Sequence, residues 1–488
     1  MSSHFRPGGD LLVRDVRIGS DAPVDVRIAA GRVVEIGVGL RATTPVLEGR
    51  GGALLPGLHD HHIHLLALAA QLRSLAVGPD RISSAAQFAA RLQEACRNLA
   101  PGGWVRATGY DDSVAGPLDR YLLDGSAPHH PVRVQYRTGT LWVLNSAALA
   151  RVLPEGDLPP CVERDAAGVP TGRIWHGDPW LRSRIASDPP ALGPVGALLA
   201  RAGVTGVTDT SVSTGAAEAA ILAAAHRSGA LPQRLCLMSG GELAAPGDGA
   251  FTVGPVKIHL HEAQLPELEQ VVASIRQARL SSRRVAFHCV TAAELAFALA
   301  ALDEAGVMHG DRIEHGAVVD AAATQELAAR GLTVVTQPSF IAERGDRYRR
   351  DVAVEDRDCL YPCASLLRVG VPVAGSTDAP YARPDPWAAM AAAQHRRTRL
   401  GRFLGEQEAV DPGTALALFL GSLDNPGGPP RQIALGADAD LCLLHVPLEE
   451  ALRRPDSRHV RATVVAGHVV HDAGAPHTHE AINGAQHA

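Results

Sequence analysis

Residues 285–316, VAFHCVTAAELAFALAALDEAGVMHGDRIEHG, decide the fold of this chain. An apolar run, VAFHC (285–289), precedes an alanine- and leucine-rich stretch that predicts a helix, TAAELAFALAALDEAG (291–306), and a second run, DRIEHG (311–316), follows it. Short buried strands that alternate with helices are typical of parallel sheets, because the helix returns the chain to the start of the next strand. This stretch therefore predicts a parallel α/β fold.

The alternation continues in both directions from this unit, and eight apolar runs are found in all. They are ALLPGL (53–58), VRVQY (132–136), VTGVTD (204–209), VKIHL (256–260), VAFHC (285–289), DRIEHG (311–316), LTVVTQ (332–337) and VPVAGSTD (371–378). Eight units predict a closed (β/α)8 barrel, the TIM barrel, rather than an open doubly wound sheet. No G-x-G-x-x-G follows the first run and no G-x-x-x-x-G-K-[ST] occurs, so dinucleotide-binding and P-loop folds lose support.

The two ends of the chain show a different pattern, in which apolar and polar residues alternate. Short half-exposed strands are predicted in DLLVRDVRI (10–18), VDVRIAAGRVVEIG (24–37), DADLCLLHV (438–446) and VRATVVAGHVV (460–470). We expect both ends to pair into one accessory sheet. The predicted organisation is accessory strands in 1–52 and 431–471, a barrel in 53–430 with inserted structure within 65–203, and a flexible tail in 472–488.

The composition fits a protein with a large core and no polyanionic partner. The 488 residues are 46% apolar and 20% charged, with a net charge of −6, so no basic field exists for nucleic acid or an anionic membrane. No stretch reaches the 18 apolar residues of a membrane span, and MSSHFRPGGD (1–10) does not resemble a secretory signal. The seven cysteines form no CxxC pair, which argues against a disulfide framework and a four-cysteine zinc site. We expect a cytoplasmic protein.

Lys257 is the single lysine among 46 basic residues. Heavy use of Ala, Gly, Pro and Arg indicates a coding bias towards arginine, so chance survival of one lysine is the simple explanation. The chemical explanation is that a primary amine is required there, because lysine can lose its proton and form covalent adducts whereas guanidinium cannot. The sequence leaves both explanations open.

Five of the predicted strands carry a potential metal ligand where barrel enzymes place their catalytic groups, at the carboxyl ends of the strands. These residues, in strand order, are His62 and His64, Lys257, His288, His315 and Asp378. His62 and His64 lie two apart in an extended segment, so both imidazoles point the same way and can reach one ion. His288 and His315, on neighbouring strands, can converge on a second ion.

A bridging anion would be needed between two such cations. A lysine carbamate, formed when the neutral amine of Lys257 takes up carbon dioxide, is a carboxylate-like bridge that arginine cannot form. Asp378 can ligate one ion, take a proton from the attacking hydroxide and pass it to the leaving nitrogen.

These motifs resemble the amidohydrolase superfamily, in particular its amidohydrolase family 3 branch. The resemblance spans nearly the whole chain and rests on LLPGLHDHHIH (54–64), GWVRATGYDD (103–112), VLNSAAL (143–149), GVTGVTD (203–209), VKIHLHE (256–262), RIEHG (312–316), VTQPSF (335–340) and GSTDAPYARPDPW (375–387). It implies a barrel flanked by a small β-sandwich built from the N- and C-terminal segments. It also implies one or two divalent metals, usually zinc, and hydrolysis of C–N bonds, less often of C–O bonds, or ring deamination.

Carried over residue by residue, the resemblance implies metal ligation by His62, His64, Lys257 as a carboxylated bridge, His288, His315 and Asp378, which is also the catalytic acid and base. Two positions depart from the branch. His261-Glu262 stand where Asp-Gly is common after the lysine, and Thr140 stands where a histidine is common. These residues, with His259 and Gln337, are expected to lie near the substrate, which therefore cannot be transferred from better-known relatives.

Other polar residues near the strand ends carry weaker expectations. Asp60 is expected either to orient a ligand histidine or to shape a turn. Arg312 and Glu314 are expected to line the mouth of the barrel or to brace it. The basic run ERGDRYRRD (343–351) predicts a solvated loop or helix near the rim of the site, with anion recognition as the alternative.

We therefore predict a metal-dependent hydrolase that uses metal-activated hydroxide to cleave the C–N bond of a small amide, cyclic amide or carbamate-like compound. One alternative is a mononuclear deaminase of an aminoheterocycle or imine. The other is a non-catalytic assembly protein that keeps the barrel. The expected partner is a small-molecule substrate, with neither nucleic acid nor a membrane. The sequence leaves the oligomeric state open, with a homodimer, which is common among such relatives, as one possibility.

Overall fold

The structure is a computed structural model, and it describes residues 8–19, 22–153, 158–185 and 189–474. The start of the predicted non-signal N-terminus (1–7) and most of the predicted tail (475–488) lie outside the described residues. The strands are β1 (Leu11–Arg17), β2 (Val24–Ala29), β3 (Arg32–Gly37), β4 (Val46–Pro56), β5 (Leu58–Ile63), β6 (Leu75–Ala76), β7 (Val105–Tyr110), β8 (Val132–Tyr136), β9 (Leu141–Leu144), β10 (Val162–Arg164), β11 (Pro170–Trp175), β12 (Val204–Asp209), β13 (Arg234–Ser239), β14 (Thr252–His259), β15 (Val285–Cys289), β16 (Arg312–His315), β17 (Thr333–Thr336), β18 (Val373–Gly375), β19 (Leu441–Leu444), β20 (Val460–Val465) and β21 (His468–Asp472).

The helices are distributed along the whole described chain. They are α1 (Leu65–Leu72), α2 (Ala85–Arg97), α3 (Asp112–Ala115), α4 (Arg120–Ser126), α5 (Ser146–Val152), α6 (Asp178–Arg184), α7 (Gly193–Arg201), α8 (Ala216–Ser228), α9 (Leu268–Leu280), α10 (Ala292–Ala305), α11 (Ala321–Ala329), α12 (Ser339–Asp351), α13 (Ala364–Arg368), α14 (Pro386–His395), α15 (Pro412–Ala417) and α16 (Leu448–Arg453). Within the described residues, no helix is both long enough and apolar enough to cross a membrane.

Eight strands form a nearly closed parallel barrel, in the order β5-β12-β13-β14-β15-β16-β17-β18. The barrel closes between β5 and the segment that follows β18. At the carboxyl end, Asp378 N donates to His62 O and His64 N donates to Ala379 O, both at 2.8 Å. Nearer the amino end, two backbone carbonyl groups bridge the gap: Phe419 O accepts from His59 N, and Leu418 O accepts from Gly375 N. The fold class is thus α/β, and the barrel is consistent with the predicted TIM barrel.

The predicted unit around residues 285–316 is confirmed as β15, α10 and β16. Helix α10 begins with a capping box: Thr291 Oγ1 accepts from Glu294 N at 3.2 Å, and Glu294 Oε2 accepts from Thr291 N at 3.2 Å. The other carboxylate oxygen of Glu294 accepts from Glu262 N at 2.9 Å. One carboxylate therefore fixes the start of α10 and the loop after β14.

Two of the eight predicted barrel runs were assigned wrongly, although the count of eight is right. The run at 53–58 mostly belongs to β4, and the first barrel strand is β5, which starts after Gly57. A Cβ on Gly57 would lie 2.1 Å from the Thr205 side chain, so glycine lets the chain pass directly from one sheet into the other. The run at 132–136 is β8, which pairs with β7 and β9 in a different sheet.

The barrel strand that the sequence analysis missed is β13, RLCLMS. It pairs with β12 and β14, and no helix lies between β13 and β14. The run follows the proline of a short connection after α8 and is not followed by a helical stretch. The alternation of strand and helix that identified the other runs is therefore absent at this point.

The two ends of the chain do pair into one accessory sheet, as predicted. Its seven strands have the order β21-β20-β19-β4-β1-β2-β3, and the ends join where β19 pairs with β4. Buried residues from both halves of this sheet, such as Val13, Ile28, Leu443 and Val464, share one apolar core. Burial of these alternate residues is what stabilises the half-exposed strands.

The described residues divide into two compact units: those within 65–191 form the second unit, and those within 1–64 and 192–488 form the first. The second unit contains a mixed six-stranded sheet in the order β10-β11-β9-β8-β7-β6. Its core includes Phe88, Tyr110 and Leu123, which pack α2 and α4 against the sheet. This second unit makes up most of the region, 65–203, in which inserted structure was predicted.

Candidate active site at the carboxyl end of the barrel

A row of five imidazoles crosses the carboxyl end of the barrel. The ring centroids are 5.4 Å apart for His64 and His62, 4.8 Å for His62 and His315, 4.4 Å for His315 and His288, and 4.3 Å for His288 and His259. Strand register produces the row, because His259 is paired with His288, and Cys289 with His315, on adjacent strands. The four predicted ligand histidines are therefore neighbours in space.

His62, His64 and Asp378 form the tightest part of this arrangement. Their ligand atoms all lie within 4.8 Å of one another. Asp378 Oδ1 is 3.5 Å from His62 Nε2 and 3.3 Å from His64 Nε2, yet this oxygen makes no hydrogen bond within the described part of the chain. Two ring nitrogens and a carboxylate oxygen thus converge on one point without bonding to each other, which fits a divalent cation held by N and O ligands.

The buried pair Arg312–Glu314 orients the His62 ring. Glu314 Oε2 lies 2.5 Å from His62 Nδ1, and Glu314 Oε1 accepts from Arg312 Nε at 2.5 Å. All three side chains are almost fully buried. The carboxylate holds the proton of the ring on Nδ1 and leaves Nε2 with its lone pair towards Asp378. Glu314 and Arg312 therefore hold the His62 ring in its orientation.

His315 has an amide partner instead of a carboxylate. Its Nδ1 lies 2.7 Å from Gln337 Oε1, and Gln337 Nε2 donates to Ser376 Oγ at 3.0 Å. Gln337 was predicted to lie near the substrate, but it is completely buried and its side chain is occupied by these bonds. Gln337 thus contacts the ring of His315, one of the predicted ligand histidines.

Asp60 ties the first barrel strand to the segment after the last. Its carboxylate accepts from Thr377 Oγ1 at 2.5 Å, from Thr377 N at 3.0 Å and from His62 N at 3.3 Å. These are bonds to a hydroxyl and to backbone groups, so Asp60 fixes the backbone around His62 and Asp378. Asp60 thus holds the backbone of a predicted ligand histidine, and Glu314 contacts the ring of the same residue.

Lys257 lies inside the same carboxyl-end cluster. It is 4% exposed, and its Nζ has no hydrogen-bond partner among the described residues. Burial lowers the pKa of Lys257 to about 8, so its amine gives up the proton far more readily than an ordinary lysine. Its charge in turn helps burial to lower the pKa of His62, His288 and His315 well below 6.5. These three rings are therefore neutral, the form that binds metals.

The remaining predicted substrate residues are more exposed. His259 packs edge-on against the His288 ring at the end of β14, and His261 and Glu262 lie in the exposed turn that follows. Thr140 belongs to the second compact unit, where its hydroxyl lies 2.9 Å from that of Thr138.

Two residues of the site have an unusual backbone conformation. His315 has φ = 71° and Asp378 has φ = 54°, in the left-handed region that residues other than glycine rarely adopt. In a regular strand, Glu314 and His315 would point to opposite faces. The unusual backbone at His315 allows both side chains to reach this cluster, which is why the sequence carried no signal for Glu314 as the partner of His62.

The comparisons with known proteins agree with this geometry. A model of the amidohydrolase family matches residues 47–471. An N-substituted formamide deformylase of Arthrobacter pascens is 25% identical over 471 residues, covering 83% of this chain and 86% of the relative.

Two solved structures share the fold. An uncharacterized metal-dependent hydrolase of Pyrococcus horikoshii has a TM-score of 0.72 at 19% identity, covering 95% of this chain and 100% of the other. Atrazine chlorohydrolase of Arthrobacter aurescens, solved with zinc, has a TM-score of 0.54 at 15% identity, covering 95% of each chain. From the family match and the cluster at the carboxyl end of its barrel, the chain belongs to the amidohydrolase family and is an enzyme that hydrolyses carbon–nitrogen bonds outside peptides.

Proposed function

We propose that this enzyme hydrolyses the C–N bond of a small amide, with N-substituted formamides as the first class to test. The observation that carries the proposal is the convergence of His62, His64 and Asp378, with ligand atoms within 4.8 Å of one another. The choice of formamides is supported by the name of the deformylase relative, which matches 83% of this chain. The reaction consumes water and gives formate and a free amine.

The proposed cofactor is one or two divalent ions, zinc first. His62, His64 and Asp378 would hold one ion, and His288 and His315 would hold a second. A bound ion supplies Lewis acidity to the carbonyl group and lowers the pKa of a water molecule to near neutrality. The zinc in the atrazine chlorohydrolase structure supports zinc as the metal to test first.

Lys257 is proposed to be carboxylated and to bridge the two ions. A carbamate forms from the neutral amine, and burial favours that form of Lys257. As a free amine, Lys257 Nζ has no hydrogen-bond partner among the described residues, which is costly for a buried polar group. The two oxygens of a carbamate would instead be available to ligate the ions. Arginine at this position could not react in this way.

Asp378 is proposed as the general acid and base. Its Oδ1 lies at the centre of the cluster and has no hydrogen-bond donor in the described part of the chain, so it can accept a proton from water. The same carboxylic acid then donates that proton to the leaving nitrogen. Its backbone is held by hydrogen bonds to His62 O and Tyr381 N, so the side chain needs no rearrangement between the two transfers.

We also propose how the strands of the accessory sheet are arranged in layers. We place its strands in two layers, the β-sandwich expected from the resemblance, because one apolar core receives side chains from both ends of the strand order. The homodimer and the cytoplasmic location stay predictions.

The test combines metal analysis with a substrate panel. The purified enzyme is loaded with zinc and assayed against N-substituted formamides, acetamides, cyclic amides and aminoheterocycles, with formate, amine and ammonia measured separately. We expect chelator-sensitive release of amine and formate. Asp378→Asn should lose turnover, whereas the matched control Asp303→Asn, which changes a surface carboxylate paired with Arg330, should keep most of it.

The same experiment separates the alternatives. Ammonia from aminoheterocycles, at full activity with one metal equivalent, would replace the amidase by the mononuclear deaminase. A protein that holds no metal and hydrolyses nothing on the panel would refute both and leave the assembly protein.

A further inference from the structure

Three of the predicted ligand histidines have different partners beside Nδ1 of the ring. The pairs are His62 with the Glu314 carboxylate at 2.5 Å, His315 with the Gln337 amide oxygen at 2.7 Å, and His64 with the Ser211 hydroxyl at 3.0 Å. A carboxylate and an amide oxygen only accept hydrogen bonds, whereas a hydroxyl both donates and accepts. The three partners therefore constrain the ring proton to different degrees.

The partner of His315 can only accept, as the carboxylate beside His62 does. Gln337 Nε2 donates to Val335 O at 3.3 Å and to Ser376 Oγ at 3.0 Å, which turns the amide oxygen towards the ring. An imidazole that faces such an oxygen keeps its proton on Nδ1 and leaves the lone pair on Nε2. Both rings therefore present Nε2 to an ion at all times.

Ser211 leaves the proton of the His64 ring free to occupy either nitrogen. Its hydroxyl can pair with Nδ1 whether or not that nitrogen carries the proton. With the proton on Nε2, the N–H group lies beside the Asp378 carboxylate, whose Oδ1 is 3.3 Å from Nε2, and this attraction favours that tautomer before an ion binds. The His64 side chain is 20% exposed, against 1% for His62, so water can reach the ring and carry the proton between its nitrogens.

The backbone around Ser211 is fixed, so the hydroxyl is held at the ring. Ser211 N donates to Asp209 Oδ1 at 3.0 Å. The preceding residue, Thr210, donates its N–H to Ile63 O at 3.0 Å, which ties the loop after β12 to the end of β5, directly before His64. Rotation of the hydroxyl, without movement of the backbone, is then enough to change it from a donor to an acceptor.

We propose that Ser211 is a positioning residue that makes His64 an adjustable ligand of the first ion. In the metal-free enzyme, the ring carries its proton on Nε2 and the hydroxyl donates to Nδ1. As the ion is taken up, the N–H bond at Nε2 breaks, an N–H bond forms at Nδ1 with water as the carrier, and the hydroxyl turns to accept from it. The ring neither gains nor loses a proton overall.

This change of tautomer gives the histidine pair an order of action. His62 captures the ion first, because its Nε2 lone pair is always available, and His64 completes the site after its proton has moved. The inference rests on the proposed function, because it concerns how the same site takes up its metal.

A purely structural role for the Ser211 hydroxyl is the competing explanation. A structural hydroxyl would leave His64 in one tautomer with and without metal. Its removal would lower the free energy of unfolding and leave zinc affinity unchanged.

The experiment reads the ring tautomers directly. Protein labelled isotopically at the histidine ring nitrogens is studied by long-range proton–nitrogen correlation NMR, first metal-free and then loaded with zinc. The signals are assigned with the variants His62→Gln, His64→Gln and His315→Gln. We expect His64 to change from the Nε2–H to the Nδ1–H tautomer on zinc binding, while the other two rings show Nδ1–H in both states.

Zinc affinity, measured by competition with a chromophoric chelator, is the second readout. Ser211→Ala removes the hydroxyl, so the affinity should fall about 3- to 10-fold, the range of one neutral hydrogen bond. Ser211→Thr keeps a hydroxyl and should restore most of the affinity. Ser274→Ala is the matched control: it removes an exposed hydroxyl that donates to Gln270 O on α9, and it should bind zinc as the wild type does.

A single tautomer of His64 in both states, or equal zinc affinities of the wild type and Ser211→Ala, would overturn the proposal. The proposed function fails separately. If the tautomer change and the loss of affinity are observed but no amide is hydrolysed, the amidase assignment is refuted and the role of Ser211 stands. A wild type that binds no zinc refutes both.

Discussion

Replacing Glu314 by glutamine should weaken metal binding while leaving every direct ligand in place. Glu314 is completely buried, and its carboxylate accepts from both His62 Nδ1 and Arg312 Nε at 2.5 Å. An amide can still accept from the ring, but its lack of charge makes the imidazole a poorer donor of electron density to an ion. Loss of such a partner costs about 10- to 100-fold in metal affinity, which is about 1.4 to 2.8 kcal/mol of binding free energy.

A second, separate effect of Glu314→Gln falls on folding. Arg312 is 2% exposed, and Glu314 is its ion-pair partner. Breaking a buried pair by removing one charge costs about 3–5 kcal/mol of the free energy of unfolding. The double variant Arg312→Met with Glu314→Gln removes both charges, so it should recover most of that stability and keep the whole loss in metal affinity.

The assay is competition between the protein and a chromophoric chelator for zinc, with urea unfolding of the metal-free proteins in parallel. Gln337→Glu is a matched comparison, because it places a carboxylate beside His315 and should leave the His62 contribution unchanged. Zinc affinities within twofold of wild type in both the single and double variants, with both proteins folded, would refute the role assigned to Glu314.

Three further predictions follow from the same structure. Lys257→Arg should reduce bound metal from about two equivalents to one or less and abolish turnover, as measured by inductively coupled plasma mass spectrometry and the amide assay; wild-type metal content with normal turnover would contradict the bridge. Thr377→Val removes the hydroxyl bonded to buried Asp60, so the free energy of unfolding should fall by about 1–3 kcal/mol, and an unchanged urea midpoint would show that the bond contributes nothing. Gly206→Ala would place a Cβ 2.5 Å from the His59 ring, so it should destabilise the barrel by about 1–3 kcal/mol, whereas Gly193→Ala, which meets no atom within 4 Å, should not.

The parts of the fold that sequence predicted well are those with a periodic signal. Strand β15, helix α10 and strand β16 follow from an apolar run, a capped alanine-rich stretch and a second run, and all three lie where expected. The pairing of the two chain ends was also accessible, because alternation marked strands at both. Strand β13 lacked this help, since the chain passes from it to β14 without a helix.

The candidate site also contains some contacts that the sequence predicted and others that it did not. His62 and His64 could be placed together because an i, i+2 pair in extended chain shares a face. The partner of His62 could not be found, because Glu314 lies 252 positions away and reaches the ring past a backbone kink at His315. The position of Gln337 after β17 was predicted, but its bond to the His315 ring was not, because that bond depends on side-chain geometry.

The closure of the barrel has a consequence for biosynthesis. The first and last strands meet through hydrogen bonds that join Asp60 to Thr377, 317 positions later, and Asp378 to His62. During translation, His62 and His64 are therefore synthesised long before Asp378, the third member of their cluster. A nascent chain that ends before Asp378 therefore lacks one of the three proposed ligands, so an ion held by all three could bind only after the segment that closes the barrel has been made.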